Sequence, residues 1–296
     1  MACDDSYNPR YYQAIIKIKD ALISNVIVDN VVRIKDTSKL LDLESIRYDI
    51  KTNRIHVTTE GNVYKKKKPY FFSVNAKGEI EKLFKIPTYF YENMVQRPTH
   101  NGGLEGLCKS YDGGGYWISM ELPLAIDGPE PQLTKTISPV RITYIDTKID
   151  KAIKQFAYLL DPIAKKPKND FSNNGLTELL EYEKDKFFVI ERSYSSGLGN
   201  MSNTIKIFNV DASKATNTLE IDSLNNIDYI TATKKLLLNF DSIRTMLTDN
   251  NIDNIEGITF GPILPNGNKS LLLVSDNNFN VYGKQLNQFI LLEIVD

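Results

Sequence analysis

The sequence predicts an all-β protein, a β-propeller built from four-stranded antiparallel blades. Short runs rich in β-branched and aromatic residues follow one another along the 296-residue chain, separated by clusters of glycine, aspartate and asparagine. Four such runs come in series with short turns between them, which is the meander of one propeller blade. A strand motif that contains acidic residues then recurs along the chain, as expected of a repeat architecture. Residues 1–296 are therefore expected to form a single propeller domain.

Each predicted strand is an apolar or alternating run bounded by turn residues. In chain order the runs are residues 11–18, 26–34, 43–48, 54–60, 70–74, 80–86, 104–108, 116–121, 139–146, 155–160, 176–180, 187–192, 204–210, 235–240, 255–259, 271–276 and 288–295. The run at 155–160 is ambiguous, because Ile149, Ile153 and Phe156 also fit helical spacing. We favour a strand there.

The predicted hairpin of residues 104–121 has acidic residues at unusual positions. Glu105 lies inside the apolar strand LEGLC, and Glu121 closes the strand YWISME. A carboxylate is costly at such positions unless it has a partner. The arrangement recurs four times, and the predicted pairs are Glu44 with Glu60, Glu105 with Glu121, Glu178 with Glu191, and Glu256 with Asp276. Because the first strands of successive blades lie nearest the axis of a propeller, these acids are expected to converge around the central channel.

A partial fifth copy of the motif lies at the start of the chain. Asp4 and Asp5 resemble the acidic end of a second strand, followed by the aromatic strand of residues 11–18. The chain then contains five repeats, of which the first is incomplete. We expect five blades, with six as the alternative, and a first blade that lacks its first strands.

Composition excludes several classes of function. The net charge of −1 gives no global field that would attract nucleic acid, and no apolar run is long enough to span a bilayer. Two cysteines do not make a disulfide framework, and two histidines exclude a histidine-rich zinc site. The sequence contains no G-x-S-x-G nucleophile elbow. We expect a monomer that binds no nucleic acid and has no membrane span.

The chain resembles the family called esterase-like activity of phytase, or phytase-like domain, a group of bacterial and plant β-propellers. The similarity covers nearly the whole chain and is most specific in NGGLEGLC to YWISMELPL (101–124), NGLTELL to FFVIERSY (174–194) and DNIEGITFGPILPNG to LLLVSDNNF (253–279). Ser45 stands where the family usually has glycine, and Asn287 where it usually has threonine. The resemblance implies a propeller with clustered acids, a phosphoester or ester hydrolase, and an exported or periplasmic bacterial protein. The chain shows no secretory signal before its first strand.

Carboxylates that converge without matching cations favour a hard metal such as Ca²⁺, which takes about 6–8 oxygen ligands. The predicted metal ligands are Glu105, Glu121, Glu191 and Asp276. Arg97 and Arg192 are predicted to receive an anionic group, since a guanidinium binds phosphate or carboxylate through two hydrogen bonds. The predicted catalytic set is Glu256, as general base, with Glu105, Arg97 and Arg192. The other predicted site residues are Glu44, Glu60, Glu178, His100, Asn101 and Asn277.

A structural interpretation of the same residues stays open. Acids at strand ends can accept hydrogen bonds from neighbouring backbones, or pair with Arg47, Arg97 and Arg192. His56, in the middle of an alternating strand, is interpreted as a surface or packed residue.

Two functions follow from these two interpretations. One is a metal-assisted hydrolase of a phosphate ester or another small anionic ester. The other is a non-enzymatic propeller that binds a ligand or protein partner through its loop face. A channel filled by side chains and acid–arginine pairs would favour the second.

Overall fold

The protein is an all-β propeller of five antiparallel sheets, which we number as blades 1 to 5 in chain order. The structure, a computed structural model, describes residues 1–5, 7–35, 42–62, 67–91, 98, 102–281 and 285–295. Within these residues blades 2, 3 and 4 have four strands each, and blades 1 and 5 have three. The predictions of a β-propeller and of five blades are confirmed, while the four-stranded blade is described for three of the five.

Consecutive strands pair with one another in every blade. Blade 1 contains β1 (Ala2–Cys3), β2 (Arg10–Lys19) and β3 (Leu22–Arg33). Blade 2 contains β4 (Leu43–Asp49), β5 (Arg54–Thr59), β6 (Tyr70–Val74) and β7 (Ile80–Phe84). Blade 3 contains β8 (Leu104–Lys109), β9 (Gly115–Met120), β10 (Pro139–Asp146) and β11 (Lys151–Leu159). Blade 4 contains β12 (Ser172–Glu183), β13 (Lys186–Ser195), β14 (Asn203–Asp211) and β15 (Thr233–Asn239). Blade 5 contains β16 (Asn254–Phe260), β17 (Ser270–Asp276) and β18 (Phe289–Glu293).

Regular helix is confined to five short 3₁₀ segments in the described part of the chain. They are Thr88–Phe90, Gly199–Met201, Phe240–Met246, Thr248–Asn250 and Asn278–Asn280. The choice of a strand over a helix near Phe156 is confirmed, because β11 pairs with β10 along its whole length. No helix among the described residues is long and apolar enough to cross a membrane.

The largest apolar core lies between neighbouring blades and is centred on blades 3 and 4. Trp117 of β9 is buried, and its ring meets the rings of Phe187 and Phe156 edge-on at centroid distances of 5.3 and 5.4 Å. Such aromatic pairs contribute roughly 0.5–1.5 kcal/mol beyond the area that they bury. This packing fixes the distance between adjacent blades and therefore the positions of their inner strands.

The inner strands of blades 2 to 5 are β4, β8, β12 and β16, each at one end of its sheet. They contact one another directly. The Thr177 hydroxyl of β12 donates a hydrogen bond to the Ile255 carbonyl of β16 at 3.3 Å. The Thr58 hydroxyl, on the strand beside β4, donates to the Glu105 carbonyl of β8 at 3.4 Å. The predicted correspondence of residues 43–46, 104–107, 176–179 and 255–258 is thus present in the structure.

Candidate functional site

Each inner strand carries a β-bulge at the same place in its sequence. In β8, for example, Leu104 pairs with Met120 and Gly106 pairs with Ser119, so Glu105 is the extra residue. A bulge leaves the extra residue outside the regular ladder and redirects its side chain. The register shifts occur between Leu43/Ile46, Leu104/Gly106, Leu176/Glu178 and Ile255/Gly257. Aligned on the apolar residues that flank each bulge, the equivalent residues are Glu44, Glu105, Thr177 and Glu256.

A second set of equivalent residues ends the neighbouring strand of each blade. Leu104 pairs with Met120, and the residue after Met120 is Glu121. Leu176 of blade 4 pairs with Glu191, so the residue equivalent to Glu121 is Arg192. The full set, by the same rule, is Glu60, Glu121, Arg192 and Asp276. Three blades therefore present an acid at this position, and blade 4 presents a cation.

The sequence-based alignment of blade 4 is displaced by one residue from the structural one. Glu178 occupies the position of Gly106 and Gly257, and Glu191 occupies the position of Met120. The prediction matched glutamate with glutamate across the repeats. The spacing of the flanking apolar residues, with Leu176 equivalent to Leu104, is the signal that identifies the structural register.

Arg192 joins three of the blades near the axis. Its guanidinium forms ion pairs with Glu121 of blade 3, at 3.1 Å, and with Glu256 of blade 5, and it donates to the amide oxygen of Asn254. Asn254 also donates to Glu256 at 2.7 Å. These carboxylates raise the pKa of Arg192 further above its usual value, so the guanidinium stays charged.

Glycines allow the acids of one blade to lie against the start of the next inner strand. The amide of Gly103 in blade 3 donates to Glu60 of blade 2 at 3.0 Å, and a Cβ on Gly103 would lie 2.7 Å from the Cγ of Glu60. A Cβ on Gly175 in blade 4 would likewise lie 2.5 Å from the Cγ of Glu121 in blade 3. The glycines directly before Leu104 and Leu176 are therefore required by a close approach between blades.

Blades 2 and 3 supply a second group of carboxylates. Asp42, Glu44 and Glu60 each place one carboxylate oxygen within 4.8 Å of the others. Glu105 is 7% exposed, and the charges of Glu121, Glu256 and Glu60 act on it together with that of Arg192. Burial raises the pKa of Glu44 and of Glu105 well above the usual value, and the neighbouring carboxylates raise both further.

We name the residues at the two sets of equivalent positions the acidic ring, and two of its acids have pKa values near neutrality. Burial raises the pKa of Glu60 to about 8, although the Gly103 amide opposes this rise. Burial also raises the pKa of Glu256 to about 7, and the charge of Arg192 opposes this rise. Glu121 is 1% exposed, and burial raises its pKa against the opposing effect of Arg192. The ring therefore contains acids that can exchange protons near pH 7.

Glu178 and Arg47 lie across the axis. Glu178 is 1% exposed, accepts hydrogen bonds from the Leu107 and Leu179 amides at 2.9 and 3.0 Å and from the Ser45 hydroxyl, and pairs with Arg47 at 2.9 Å. Arg47 also donates to the carbonyls of Leu179 and Ile258 at 3.3 and 3.2 Å. Blades 2 to 5 are thereby tied together through one ion pair, which we name the axial bridge.

Glu191 lies apart from the ring. Adjacent residues of a strand point to opposite faces, so Glu191 and its neighbour Arg192 diverge. Glu191 accepts hydrogen bonds from the Tyr158 hydroxyl, from the Asp161 amide at 3.0 Å and from the Asn174 amide group at 2.7 Å. It also pairs with Lys234 at 2.6 Å. Its oxygens are thus fully engaged in holding blade 4 against blade 3.

The other predicted site residues have varied positions. Asp276 is half-buried, and its charge adds to the burial that raises the pKa of Glu256 and of Asp4. The side chain of Asn277 accepts a hydrogen bond from the Phe279 amide at 3.1 Å and so caps a 3₁₀ segment. His56 is packed rather than exposed, stacked on Tyr116 with ring centroids 4.2 Å apart. Arg97, His100 and Asn101 lie outside the described residues.

Comparisons with known proteins give a family match and a distant structural similarity. No curated protein matches the chain. One matching solved structure, titled "Structure of Dos1 propeller", is 10% identical with a TM-score of 0.37, over 92% of this chain and 61% of that one. The chain thus spans less than two thirds of that structure's length. The family model Phytase-like, described as "Esterase-like activity of phytase", matches residues 1–279. Since this match covers nearly the whole chain, the protein belongs to the Phytase-like family, as the sequence motifs predict.

Proposed function

We propose that the protein is a metal-assisted hydrolase of a phosphate ester or another small anionic ester, and that it acts at the acidic ring around the propeller axis. One observation carries the proposal. The half-buried carboxylates of Asp42, Glu44 and Glu60 lie together, with one oxygen of each within 4.8 Å of the others, and the charged guanidinium of Arg192 acts on the same ring. Carboxylate oxygens are the ligands that Ca²⁺ prefers, so the donor set fits such an ion.

Each residue of the ring has a proposed role that follows from its chemistry. A divalent ion held by these carboxylates would supply Lewis-acid polarisation of the substrate's oxygen. Glu256 is the general base, because a pKa of about 7 lets it take a proton from water near neutral pH. Arg192 holds Glu256 in place and presents a fixed positive charge to an anionic group. Glu105 and Glu121 remain proposed ligands of the metal ion, and Asp276 remains a peripheral one. Glu191 does not, because other groups occupy its oxygens.

Binding without catalysis is the second candidate function, and the axial bridge favours it. Arg47 and Glu178 pair with each other between blades 2 and 4, and Arg192 neutralises part of the ring. A ring whose charges serve only to hold the blades together would leave the loop face as the binding surface for a ligand or partner.

Export from a bacterial cell stays a prediction, which fractionation of the producing organism would test.

An activity screen separates the two functions. The full chain would be tested on p-nitrophenyl phosphate, bis(p-nitrophenyl) phosphate and p-nitrophenyl acetate, with Ca²⁺, Mg²⁺, Mn²⁺ or EDTA. We expect metal-dependent turnover of at least one ester. Glu256→Gln should lower kcat by about 10²–10⁴-fold, the usual contribution of a general base. Glu181→Gln is the matched control, because Glu181 is a buried acid that contacts Trp117 instead of the ring. Absence of turnover under every condition would favour the binding function.

A further inference from the structure

We propose that β18, the outer strand of blade 5, pairs edge to edge with β18 of a second copy of this chain, so that the protein forms a dimer with two-fold symmetry. The proposal concerns assembly, goes beyond the proposed hydrolysis and does not depend on it. It takes the place of the monomer expected from the sequence.

The outer edge of blade 5 lacks two protective features that the outer edges of the other blades have. An exposed edge strand offers unpaired backbone groups to another chain, and charged residues and bulges are the usual protection against this. The outer strands β3, β7, β11 and β15 each contain two charged residues, namely Asp29 and Arg33, Glu81 and Lys82, Lys151 and Lys154, and Lys234 and Lys235. The ladder of each of these strands with its neighbour also contains a register shift. By contrast, β18 has the sequence FILLE with a single charge at its last residue, and its ladder with β17 is regular.

The backbone of β18 directs hydrogen-bonding groups toward this edge. The Ile294 amide, just after the strand, donates to the Lys269 carbonyl at 2.9 Å, so Ile294 belongs to a hydrogen-bonded pair of the ladder. Such pairs alternate along an antiparallel ladder. Phe289, Leu291 and Glu293 therefore direct their N–H and C=O groups away from β17, toward an edge that no strand occupies in the described part of the chain.

Apolar side chains accompany the open edge. Phe289 and Leu291 are half-buried. The strand β3 of blade 1 lies beside β18 without pairing with it, and carries Val28 and Val31, which are 55% and 43% exposed. A contiguous exposed apolar patch is typical of an interaction surface. The edge thus combines unpaired backbone groups with apolar surface.

A second copy of the same strand matches this edge. An antiparallel pair centred on Leu291 places Leu291 opposite Leu291 of the partner subunit, and Phe289 opposite Glu293 of the partner subunit. The edge-facing residues of the two strands then coincide, so both sets of backbone groups form hydrogen bonds across the two-fold axis. The two glutamates lie at opposite ends of the pair, so no like charges meet. Each blade 5 gains the fourth strand that blades 2, 3 and 4 already have.

Sedimentation velocity of the full chain tests the proposal. Because one strand pair buries less area than a standard interface, we expect a dissociation constant on the order of 10 µM, measured from about 1 to 500 µM protein. Leu291→Lys should weaken dimerisation at least ~10-fold, since a lysine protects an edge strand. Leu83→Lys is the matched control, because Leu83 is an exposed leucine of the outer strand of blade 2. It should change the dissociation constant by less than about twofold.

Disulfide cross-linking tests the register of the same contact. Cys108 is buried and Cys3 is half-buried, so the variants are made in a Cys3→Ser background. With oxidised glutathione, Leu291→Cys should form an intermolecular disulfide, because the Cα atoms of a hydrogen-bonded antiparallel pair lie about 5.5 Å apart. Leu83→Cys should form none.

Three results would overturn the proposal. The first is a monomer over the whole concentration range, which would favour a different polypeptide as the partner of β18. The second is a dimer that Leu291→Lys leaves unchanged, and the third is equal cross-linking of the two cysteine variants. Dimerisation that Leu291→Lys abolishes, with cross-linking through Leu291→Cys only, would support the proposal whether or not any ester is hydrolysed.

Discussion

At the scale of single residues, the replacement of an acid by Arg192 gives the ring its asymmetry. The sequence predicts Arg192, Glu121 and Glu256 as site residues, and the structure brings these three side chains together. It could not reveal that Arg192 is the structural equivalent of Glu121, because Glu191 beside it offers a more obvious match. Which of two adjacent residues faces the axis depends on strand register, and the sequence encodes register only through the apolar residues around it.

Replacing Arg192 should destabilise the fold. Arg192→Met removes the ion-pair partner of Glu121, which is 1% exposed, and leaves that carboxylate buried without a cation. We expect a loss of about 3–5 kcal/mol in the free energy of unfolding, measured by urea denaturation at pH 7.5. Arg54→Met is the control, because its ion pair with Glu81 is solvent-exposed and should cost less than about 1 kcal/mol. Equal losses in the two variants would mean that Arg192 does not stabilise the ring.

At the scale of the elements, nearly every strand could be predicted and the bulges could not. A run of aromatic and β-branched residues bounded by turn residues predicts a strand such as Tyr70–Val74 at its observed bounds. A bulge adds one residue to a strand without changing its composition, so no pattern of polarity reveals it. The four bulges turn Glu44, Glu105, Thr177 and Glu256 out of the ladders, and this is why the acids converge.

The glycine after the bulge of β8 should be intolerant of a side chain. A Cβ on Gly106 would lie 2.4 Å from the Ser119 hydroxyl and 2.6 Å from a methyl group of Leu179. Gly106→Ala should therefore destabilise the protein by roughly 1–3 kcal/mol, the usual effect of overpacking, as measured by thermal and urea unfolding. An unchanged midpoint would show that β8 and β12 separate more easily than the structure implies.

At the scale of the whole molecule, the stability of the propeller depends on pH through a buried histidine. His56 shares one hydrogen bond with the Tyr116 hydroxyl, at 2.9 Å, inside an aromatic cluster. Burial lowers the pKa of His56 from 6.5 to about 4; the charge of Asp49 opposes this fall, and the charges of Lys109, Arg54 and Lys82 add to it. The unfolded chain therefore binds a proton at a pH where the folded one does not.

The sign of the effect follows from this difference in protonation. As the pH falls from 6.5 to 4, the folded state should lose about 3 kcal/mol of stability relative to a variant without the histidine, since each pKa unit corresponds to about 1.4 kcal/mol. The measurement compares urea unfolding of the wild type and His56→Phe at several pH values between 4 and 7.5. Parallel curves for the two proteins would contradict a depressed pKa at His56.

The axial bridge has a consequence for the shape of any molecule that reaches the ring. Arg47 and Glu178 lie between four blades, so these two side chains obstruct passage along the axis at their level. An extended chain therefore cannot run through the propeller from one end to the other while the axial bridge is intact.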